Sequence, residues 1–307
     1  MNDITLHQLR LLREVAQRGT IAAAAEAMGY TASAVSQQLS GLERSTGIAV
    51  LERIGRNVRL TDAGRELVRH ARDLISGMEA AQVAIERVGG EARGTLDLTV
   101  YESVASTILP VLLMRLAEQY PDIHLRTRQM EPDDAIDALA GGDLDMAFTI
   151  DYRHSPAAPR ADVIRFPVLE DYFQLVLPED DPIEGETVTL DEVANRRFIS
   201  SPITHSCGRC LVTACREAGF EPNIIHELDD YPTTLRLIAA GQGVSLVPYL
   251  GLALLPPGVR TVRITPRLSR TIELAYRTTS AERPAIVAVR DLITAIVADM
   301  DPAAAAA

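Results

Sequence analysis

The chain has 307 residues, 47% of them hydrophobic, which allows two or three domains with substantial cores. No apolar run approaches eighteen residues without a charge, so we expect no membrane-spanning helix. The first ten residues lack the basic and apolar segments of an export signal, and the three cysteines are an odd number. Both features predict a reducing cytoplasm.

The net charge of −12 is unevenly distributed along the chain. Residues 1–93 contain twelve Arg and eleven acidic residues, whereas the remainder contains eighteen Arg and thirty-one acidic residues. From Arg44 to Arg72 the local charge is +4. A basic segment on a near-neutral head permits nucleic-acid binding by the head alone. An architectural DNA protein would need a positive net charge, so this class is not expected.

The beginning of the chain predicts three helices. Apolar residues at helical spacing predict the first over 5–17, and a short alanine-rich helix follows over 21–28. A glycine then separates it from a third helix that opens at Thr31. The third helix carries small polar groups on its exposed face, which predicts a helix-turn-helix at about 21–40. A plain three-helix bundle would also fit these residues taken alone.

Two short strand-like segments, 50–53 and 57–60, predict a wing whose arginines contact phosphates. A long helix is predicted from Thr61 to about Val88. Its apolar residues alternate three and four apart over three heptads, which predicts a dimerisation seam. The seam residues are Leu67, Ala71, Leu74, Met78, Ala81, Ile85 and Val88. The alternative is a seam that packs against its own domain.

After Gly94, strands and helices alternate. The predicted strands are 95–101, 123–128, 144–150, 173–177, 198–203, 224–227, 244–247, 259–264 and 271–276. The predicted helices are 108–120, with Pro110 near its start, then 134–140, 208–218, 233–240 and 284–300. This order predicts parallel sheets with helices on their faces, in two units joined by two crossings. A ligand cleft is expected between them, at the carboxyl ends of the strands.

The predicted fold class is α/β with an all-α winged helix-turn-helix head and two Rossmann-like subdomains, as in periplasmic binding proteins. The predicted boundaries are 4–61 for the head, 62–90 for the linker and dimerisation helix, and 94–300 for the effector domain. Within the effector domain, subdomain I comprises 94–165 and 267–300, and subdomain II comprises 166–266.

A set of spaced residues in the first sixty-four positions forms one pattern. Its members are Thr20, Ala24-Ala25, Thr31 to Ser36, Leu42-Glu43, Gly47, Leu51, Arg53 and Leu60 to Gly64. Weaker motifs follow at Leu109-Pro110, Tyr120-Pro121, Gly142 to Asp145 and Ala239 to Pro248. The pattern resembles the LysR-type transcriptional regulators, although Leu51 stands where that family usually has Phe.

The resemblance implies a sequence-specific transcriptional regulator whose activity is modulated by a small-molecule effector in the interdomain cleft. It also implies a homodimer through the linker helix, or more often a homotetramer, on a pseudo-palindromic site in double-stranded DNA. Residues expected by position to contact bases are Thr31, Ser33, Ser36, Gln37 and Ser40, and those expected to contact phosphates are Arg53 and Arg56. No cofactor, metal or membrane partner is expected.

Ser103 stands where the family often places a hydroxyl at a helix N-terminus, suited to an anionic group. It would equally serve as an ordinary N-cap. Other effector-binding candidates, at predicted strand ends, are Glu131, Thr149, Asp151, Ser201, Thr204, Asp230 and Tyr231. Glu131 and Asp230 argue against a purely anionic ligand, because like charge would lower its affinity.

His205, Cys207, Cys210 and Cys215 form a local cluster. Peroxide-sensing members of the family use two cysteines in this stretch; Cys215 resembles the second, whereas Ser206 occupies the place of the first. The cysteines are interpreted as ordinary buried residues, as a redox pair of Cys207 and Cys215, or as metal ligands. Zinc would need a fourth ligand that the spacing does not supply.

An enzyme is not expected, because the sequence contains no nucleophile elbow, P-loop or histidine-rich metal motif. A solute-binding protein would share the effector-domain fold, but it would carry an export signal and lack the winged head. The sequence therefore predicts a ligand-responsive DNA-binding regulator.

Overall fold

The computed structural model describes residues 4–54, 57–152 and 159–300. The chain divides into two compact units, Met1–Ile85 and Glu86–Ala307. Within the described ranges, none of the helices combines the length and apolar character needed to cross a bilayer.

The first unit begins with three helices, α1 (Leu6–Arg18), α2 (Ile21–Ala27) and α3 (Ala32–Thr46). A two-stranded antiparallel sheet, β1 (Leu51–Ile54) and β2 (Asn57–Leu60), follows, and then the long α4 (Asp62–Gly89). Thr5, Thr20 and Thr31 begin the three short helices by accepting a hydrogen bond from the backbone N–H three residues ahead. The predicted elements of this unit are confirmed to within two residues.

The core of the first unit lies between α1, α2 and α3, and includes Leu12, Val15, Ala24, Val35 and Leu42. Two sequence motifs fix the wing and α4 to it. The carboxylate of Glu43 accepts hydrogen bonds from the backbone of Val50 and Leu51, at 3.0 and 3.3 Å. A Cβ atom at Gly64 would lie 2.1 Å from the carbonyl oxygen of Val50, so only glycine permits this approach of α4.

The second unit contains ten strands and five helices within the described residues. The strands are β3 (Gly94–Val100), β4 (Ile123–Gln129), β5 (Met146–Tyr152), β6 (Val163–Pro178), β7 (Thr187–Val188), β8 (Arg197–Ser200), β9 (Asn223–Glu227), β10 (Ser245–Pro248), β11 (Val259–Ile264) and β12 (Ser269–Arg277). The helices are α5 (Glu102–Gln119), α6 (Pro132–Gly141), α7 (Ser206–Glu217), α8 (Tyr231–Ala239) and α9 (Pro284–Asp299).

Eight strands form one mixed sheet in the order β4-β3-β5-β12-β6-β11-β7, with β10 also paired to β6. The predicted parallel pairing of β3 with β4 and β5 is confirmed, whereas β12 runs antiparallel to β5 and β6. β8 and β9 form a parallel pair, and Phe198 bridges to Val244 beside it. The sheet therefore has two halves that share β6.

β6 is much longer than the predicted strand at 173–177. Its first part pairs with β12, and its last residues pair with β10 and β11. The register against β12 shifts between Ile272 and Glu273, opposite the segment that contains Pro167. This irregularity interrupts the alternation of apolar and polar residues, which explains why the sequence pattern predicted only the end of the strand.

α5 begins at Glu102, so the predicted start at Ile108 was wrong. Pro110 lies inside the helix, where a missing backbone N–H normally disfavours it. The helix is retained because Val104, Ile108 and Leu112 are all fully buried against the sheet. The earlier start places Ser103 in the first turn of α5.

Candidate functional site

A cavity lies between the two halves of the second unit, at the point where four helices begin. Glu102 of α5, Pro132 of α6, Ser206 of α7 and Tyr231 of α8 all line it. The space open to the centre of a water molecule measures about 60 Å³. Four helix N-termini therefore meet at one small, partly open cavity.

The floor of the cavity is formed by Arg270, which is in a buried ion pair with Asp171. These residues are direct cross-strand partners on β12 and β6. Arg270 Nε and Nη2 donate to Asp171 Oδ2 at 2.9 and 2.8 Å, and Nη2 also donates to Ser103 Oγ at 2.8 Å. The side chains are 1% and 0% exposed. Burial alone would lower the pKa of Arg270, but the charge of Asp171 holds it above the ordinary value, so the guanidinium stays charged.

Two tyrosines line the cavity beside this pair. The hydroxyl groups of Tyr101 and Tyr152 are buried and have no hydrogen-bond partner among the described residues. Burial raises the pKa of both phenols, so both remain neutral and able to donate. Because an unsatisfied buried hydroxyl costs about 1–3 kcal/mol, these groups favour a bound partner in the cavity.

Acidic residues and one histidine surround the mouth of the cavity. His205 Nδ1 lies 3.2 Å from Asp229 Oδ2 and 3.6 Å from Glu131 Oε2. Burial, and then the charge of Asp229, raise the pKa of Glu131 to about 7, while His205 lowers it. Both carboxylate oxygens of Glu102 accept a hydrogen bond from the backbone N–H of Tyr231 at 3.1 Å.

The structure brings five of the predicted effector-binding residues to the cavity: Ser103, Glu131, Ser201, Asp230 and Tyr231. It does not bring Thr149, Asp151 or Thr204 there. On β5, Ile150 and Tyr152 line the cavity, and alternate side chains of a strand point to opposite faces. Thr149 and Asp151 therefore face away, and Thr149 hydrogen-bonds Glu273 at 3.4 Å. Thr204 is exposed and accepts a hydrogen bond from Arg209 through its carbonyl oxygen.

Sequence reasoning missed Arg270, Asp171, Tyr101 and Tyr152. One signal for Arg270 was present: it alternates along β12 with Ile272 and Leu274, which are fully buried. A charged residue at a core-facing strand position requires a buried partner of opposite charge.

The cysteines occupy different environments. Cys207 is half-buried and lines the cavity, whereas Cys210 and Cys215 are buried. Burial raises the pKa of both buried thiols to about 12, which disfavours the reactive thiolate. A redox role for Cys207 and Cys215 stays a prediction.

The helix-turn-helix places polar side chains along one exposed side of α3. Ser33, Gln37 and Ser40 are exposed, and Ser36 is half-buried. The hydroxyl of Thr31 accepts a hydrogen bond from the Ala34 N–H at 3.2 Å and lies 3.1 Å from Ser33 Oγ. Thr31 is therefore the N-cap of this helix.

The wing contains the arginines that are predicted to contact phosphates. Arg53 lies in β1 opposite Val58, and Arg56 falls outside the described residues. Arg59 pairs with Glu52 across the sheet, at 2.7 Å between Nη2 and Oε1.

Comparison with known families identifies both units. Residues 6–65 match the family model described as bacterial regulatory helix-turn-helix protein, lysR family. Residues 89–298 match the LysR substrate binding domain. The chain belongs to the LysR family. This LysR regulator is therefore a sequence-specific DNA-binding transcriptional regulator, and a small-molecule effector in the cleft of its substrate-binding domain modulates its activity.

Individual relatives span nearly the whole LysR chain. The transcriptional dual regulator GltC of Bacillus subtilis is 30% identical over 273 residues, which cover 87% of this chain and 89% of that protein. An H2O2-bound cysteine-to-serine mutant of Corynebacterium glutamicum OxyR has a TM-score of 0.63 at 23% identity, over 98% of this chain and 95% of that one. Full-length CbnR complexed with its target DNA has a TM-score of 0.54 at 23% identity, over 96% of this chain and 100% of that one. Both structures share the fold of this LysR chain.

The ion pair at the cavity floor generates a stability prediction. Arg270→Met leaves the Asp171 carboxylate buried and unpaired, so we expect the free energy of unfolding to fall by about 3–5 kcal/mol. Urea unfolding monitored by circular dichroism measures this change. The double variant Asp171→Leu with Arg270→Met removes both charges and should recover most of the loss. Wild-type stability in the single variant would contradict this interpretation of the pair.

Proposed function

We propose that the cavity binds the effector through a small acceptor group, such as a carboxylate, held at the floor. The groups around the floor are mainly donors. Tyr101 and Tyr152 offer buried hydroxyls, and Ser103 Oγ accepts from Arg270, which leaves its own hydrogen free to donate. Among the described residues, α5, α6 and α7 also begin without a side-chain cap, so their first N–H groups add donors.

The mouth limits the charge of this effector. Glu102, Glu131, Asp229 and Asp230 all line it. A second anionic group at the exposed end would meet these carboxylates at a cost in affinity. The effector therefore carries a single anionic group, and that group points toward Ser103.

A peroxide sensor is the second candidate function. The small volume of the cavity and the presence of Cys207 in its wall favour it. The similar OxyR structure is described as H2O2-bound. The raised pKa of Cys215 argues against this role, because peroxide reacts with thiolates.

The effector proposal predicts that the hydroxyl groups at the floor contribute to effector affinity and do not stabilise the ligand-free fold. Tyr152→Phe removes a hydroxyl without a partner, so the ligand-free protein should keep or slightly gain stability. Losing one hydrogen bond to the ligand should weaken binding about tenfold. Thermal-shift titration with small monocarboxylates (acetate, lactate and pyruvate) measures both quantities.

Thr99→Val is the matched control, because Thr99 is a buried hydroxyl without a partner among the described residues and outside the cavity wall. It should leave binding unchanged. Equal binding by wild type and Tyr152→Phe would refute the floor site. A response to peroxide that disappears in Cys207→Ser would instead favour the second candidate.

We propose that α3 contacts bases in the major groove and that the wing contacts phosphates. The exposed side of α3 supports base contacts by Ser33, Gln37 and Ser40, with Ser36 beside them. Thr31 begins the same helix and contacts DNA through its first turn. Arg53 and Arg56 supply the positive charge of the wing.

This division predicts different effects of two substitutions. Gln37→Ala should change base preference, by about 1–3 kcal/mol at one position of the operator. Arg53→Ala should weaken binding to all sequences alike and reduce the salt slope by about one. Selection from a randomised DNA pool, followed by titration at several salt concentrations, measures both. Arg216→Ala, at an exposed position of α7 in the second unit, is the control. Equal losses on every sequence for Gln37→Ala and Arg53→Ala would contradict the division.

We propose that α4 forms a homodimer, which assembles further into a homotetramer on a pseudo-palindromic operator. Leu67 and Ala71 of the predicted seam are packed, whereas Leu74, Met78, Ile85 and Val88 are 57%, 53%, 74% and 90% exposed. An exposed apolar row of this kind favours a partner helix.

Met78→Asp places a charge within this row and should convert the protein to monomers at micromolar concentration. Ala80→Asp introduces the same charge at an exposed position off the seam and should leave the oligomer intact. Sedimentation velocity distinguishes the species. If Met78→Asp leaves the oligomer unchanged, the dimer interface lies elsewhere on the chain and the proposal is contradicted.

We further propose that the chain acts in the cytoplasm without catalytic activity. The functional boundaries follow the predicted ones: head 4–61, linker 62–90, subdomain I from 94–165 and 267–300, and subdomain II from 166–266. The length of β6 supports two subdomains, because this strand pairs with β12 in one half of the sheet and with β11 in the other.

A further inference from the structure

Three potential metal ligands meet at the mouth of the cavity. One ligand atom each from Glu131, His205 and Asp229 lies within 4.8 Å of the others. His205 Nδ1 is buried, has no hydrogen-bond partner among the described residues, and lies 3.2 Å from the nearest Asp229 oxygen. An imidazole nitrogen and two carboxylate oxygens, with water completing the shell, suit a divalent first-row transition metal.

The backbone positions these ligands independently of each other. Glu131 is the N-cap of α6 in one half of the second unit, whereas His205 is the N-cap of α7 and Asp229 follows β9 in the other half. α7 is held close to the preceding loop, since a Cβ at Gly208 would lie 2.4 Å from the carbonyl oxygens of Ser201 and Pro202. The geometry of His205 therefore depends on a glycine in the first turn of α7.

Neighbouring charges favour a cation at this position. The nearby Asp133 pairs with Arg209 at 2.7 Å, and Arg209 also donates to the Thr204 carbonyl. That arginine is thus engaged beside the cluster, and the carboxylates of Glu131 and Asp229 lie close enough to repel each other. A divalent cation would balance the charge of the two carboxylates.

We propose that Glu131, His205 and Asp229 bind one divalent transition-metal ion, which links the two halves of the second unit across the mouth of the cavity. Zn²⁺ binds more tightly than Mn²⁺ in a site of this composition, because nitrogen and oxygen sites follow the general order of divalent affinities. Ca²⁺ binds poorly, because imidazole is a weak ligand for it. This proposal does not rest on the effector proposal, since the three ligands are present without an effector.

The test is isothermal titration of the untagged, full-length, metal-free chain with Zn²⁺, Mn²⁺ and Ca²⁺, without effector. We expect one Zn²⁺ per chain. Glu131→Gln, His205→Gln and Asp229→Asn should each weaken Zn²⁺ binding by more than about 100-fold, which exceeds the roughly 10–100-fold that loss of an outer-shell partner costs. Glu131→Gln tests the ligand from one half of the unit, and the other two variants test the ligands from the other half. Melting curves without metal establish that each variant is folded.

Two further variants separate this site from other histidines and from the thiols. His124→Gln changes an exposed histidine on β4, and Cys207→Ser removes the nearby half-buried thiol. Both should bind Zn²⁺ like the wild type, and Co²⁺ bound to the wild type should show no thiolate charge-transfer band. Absence of Zn²⁺ binding, wild-type affinity in Glu131→Gln, or loss of binding only in Cys207→Ser would each overturn the proposal.

Discussion

The buried pair of Arg270 and Asp171 constrains the whole second unit. The two residues face each other on β12 and β6, near the point where β6 leaves one half of the sheet for the other. The same pair binds the Ser103 hydroxyl, and Asp171 accepts a hydrogen bond from the Leu250 backbone at 3.3 Å. Because either charge alone would be costly to bury, both strands, the first turn of α5 and the turn at Leu250 are held in one arrangement.

This arrangement explains why the cavity combines opposite electrostatic features. Fixing α5 on the ion pair brings its N-terminus beside those of α6, α7 and α8, and the uncapped ends of α5, α6 and α7 favour an anion at the floor. At the more exposed mouth, the side chains near the same helix ends are acidic. Asp230 caps α8 by accepting from the Thr233 N–H, and Glu102 accepts from the N–H of Tyr231, the first residue of that helix. Asp230 and Glu102 therefore satisfy the N-terminus of α8, and they also place negative charge at the mouth, where it affects ligand selectivity.

Most of the architecture could be predicted because it depends on local signals. Threonine caps and glycine turns locate the head helices, and the alternation of strands with helices predicts the parallel part of the sheet. The boundaries of α5 and β6 differ most from the prediction, since packing overrode the local signal, and the two-residue β7 was not predicted. Burial of Val104 and Ile108 keeps α5 helical ahead of Pro110, and pairing with β12 keeps β6 extended around Pro167.

The cavity was predicted only in part, for geometric reasons. Strand ends were identified, but on β5 the cavity is lined by Ile150 and Tyr152, and a shift of one residue exchanges the two faces of a strand. Arg270 and Asp171 are 99 residues apart, so only the fold shows that they are partners. The same holds for Glu131, His205 and Asp229, which three separate elements bring together.

The floor and the mouth are coupled by charge. The carboxylates of Glu131 and Asp229 oppose an anionic group in the cavity, and a divalent cation between them would remove that opposition. Linkage requires the effect to be reciprocal, so an anion at the floor would raise the affinity of the mouth for the cation by the same factor. Each ligand would also contact both halves of the unit, the anion through Ser103 and the helix ends, and the cation through Glu131 and His205. Both would therefore stabilise the contact between the two halves, and a regulator built in this way would respond most strongly when the two are present together.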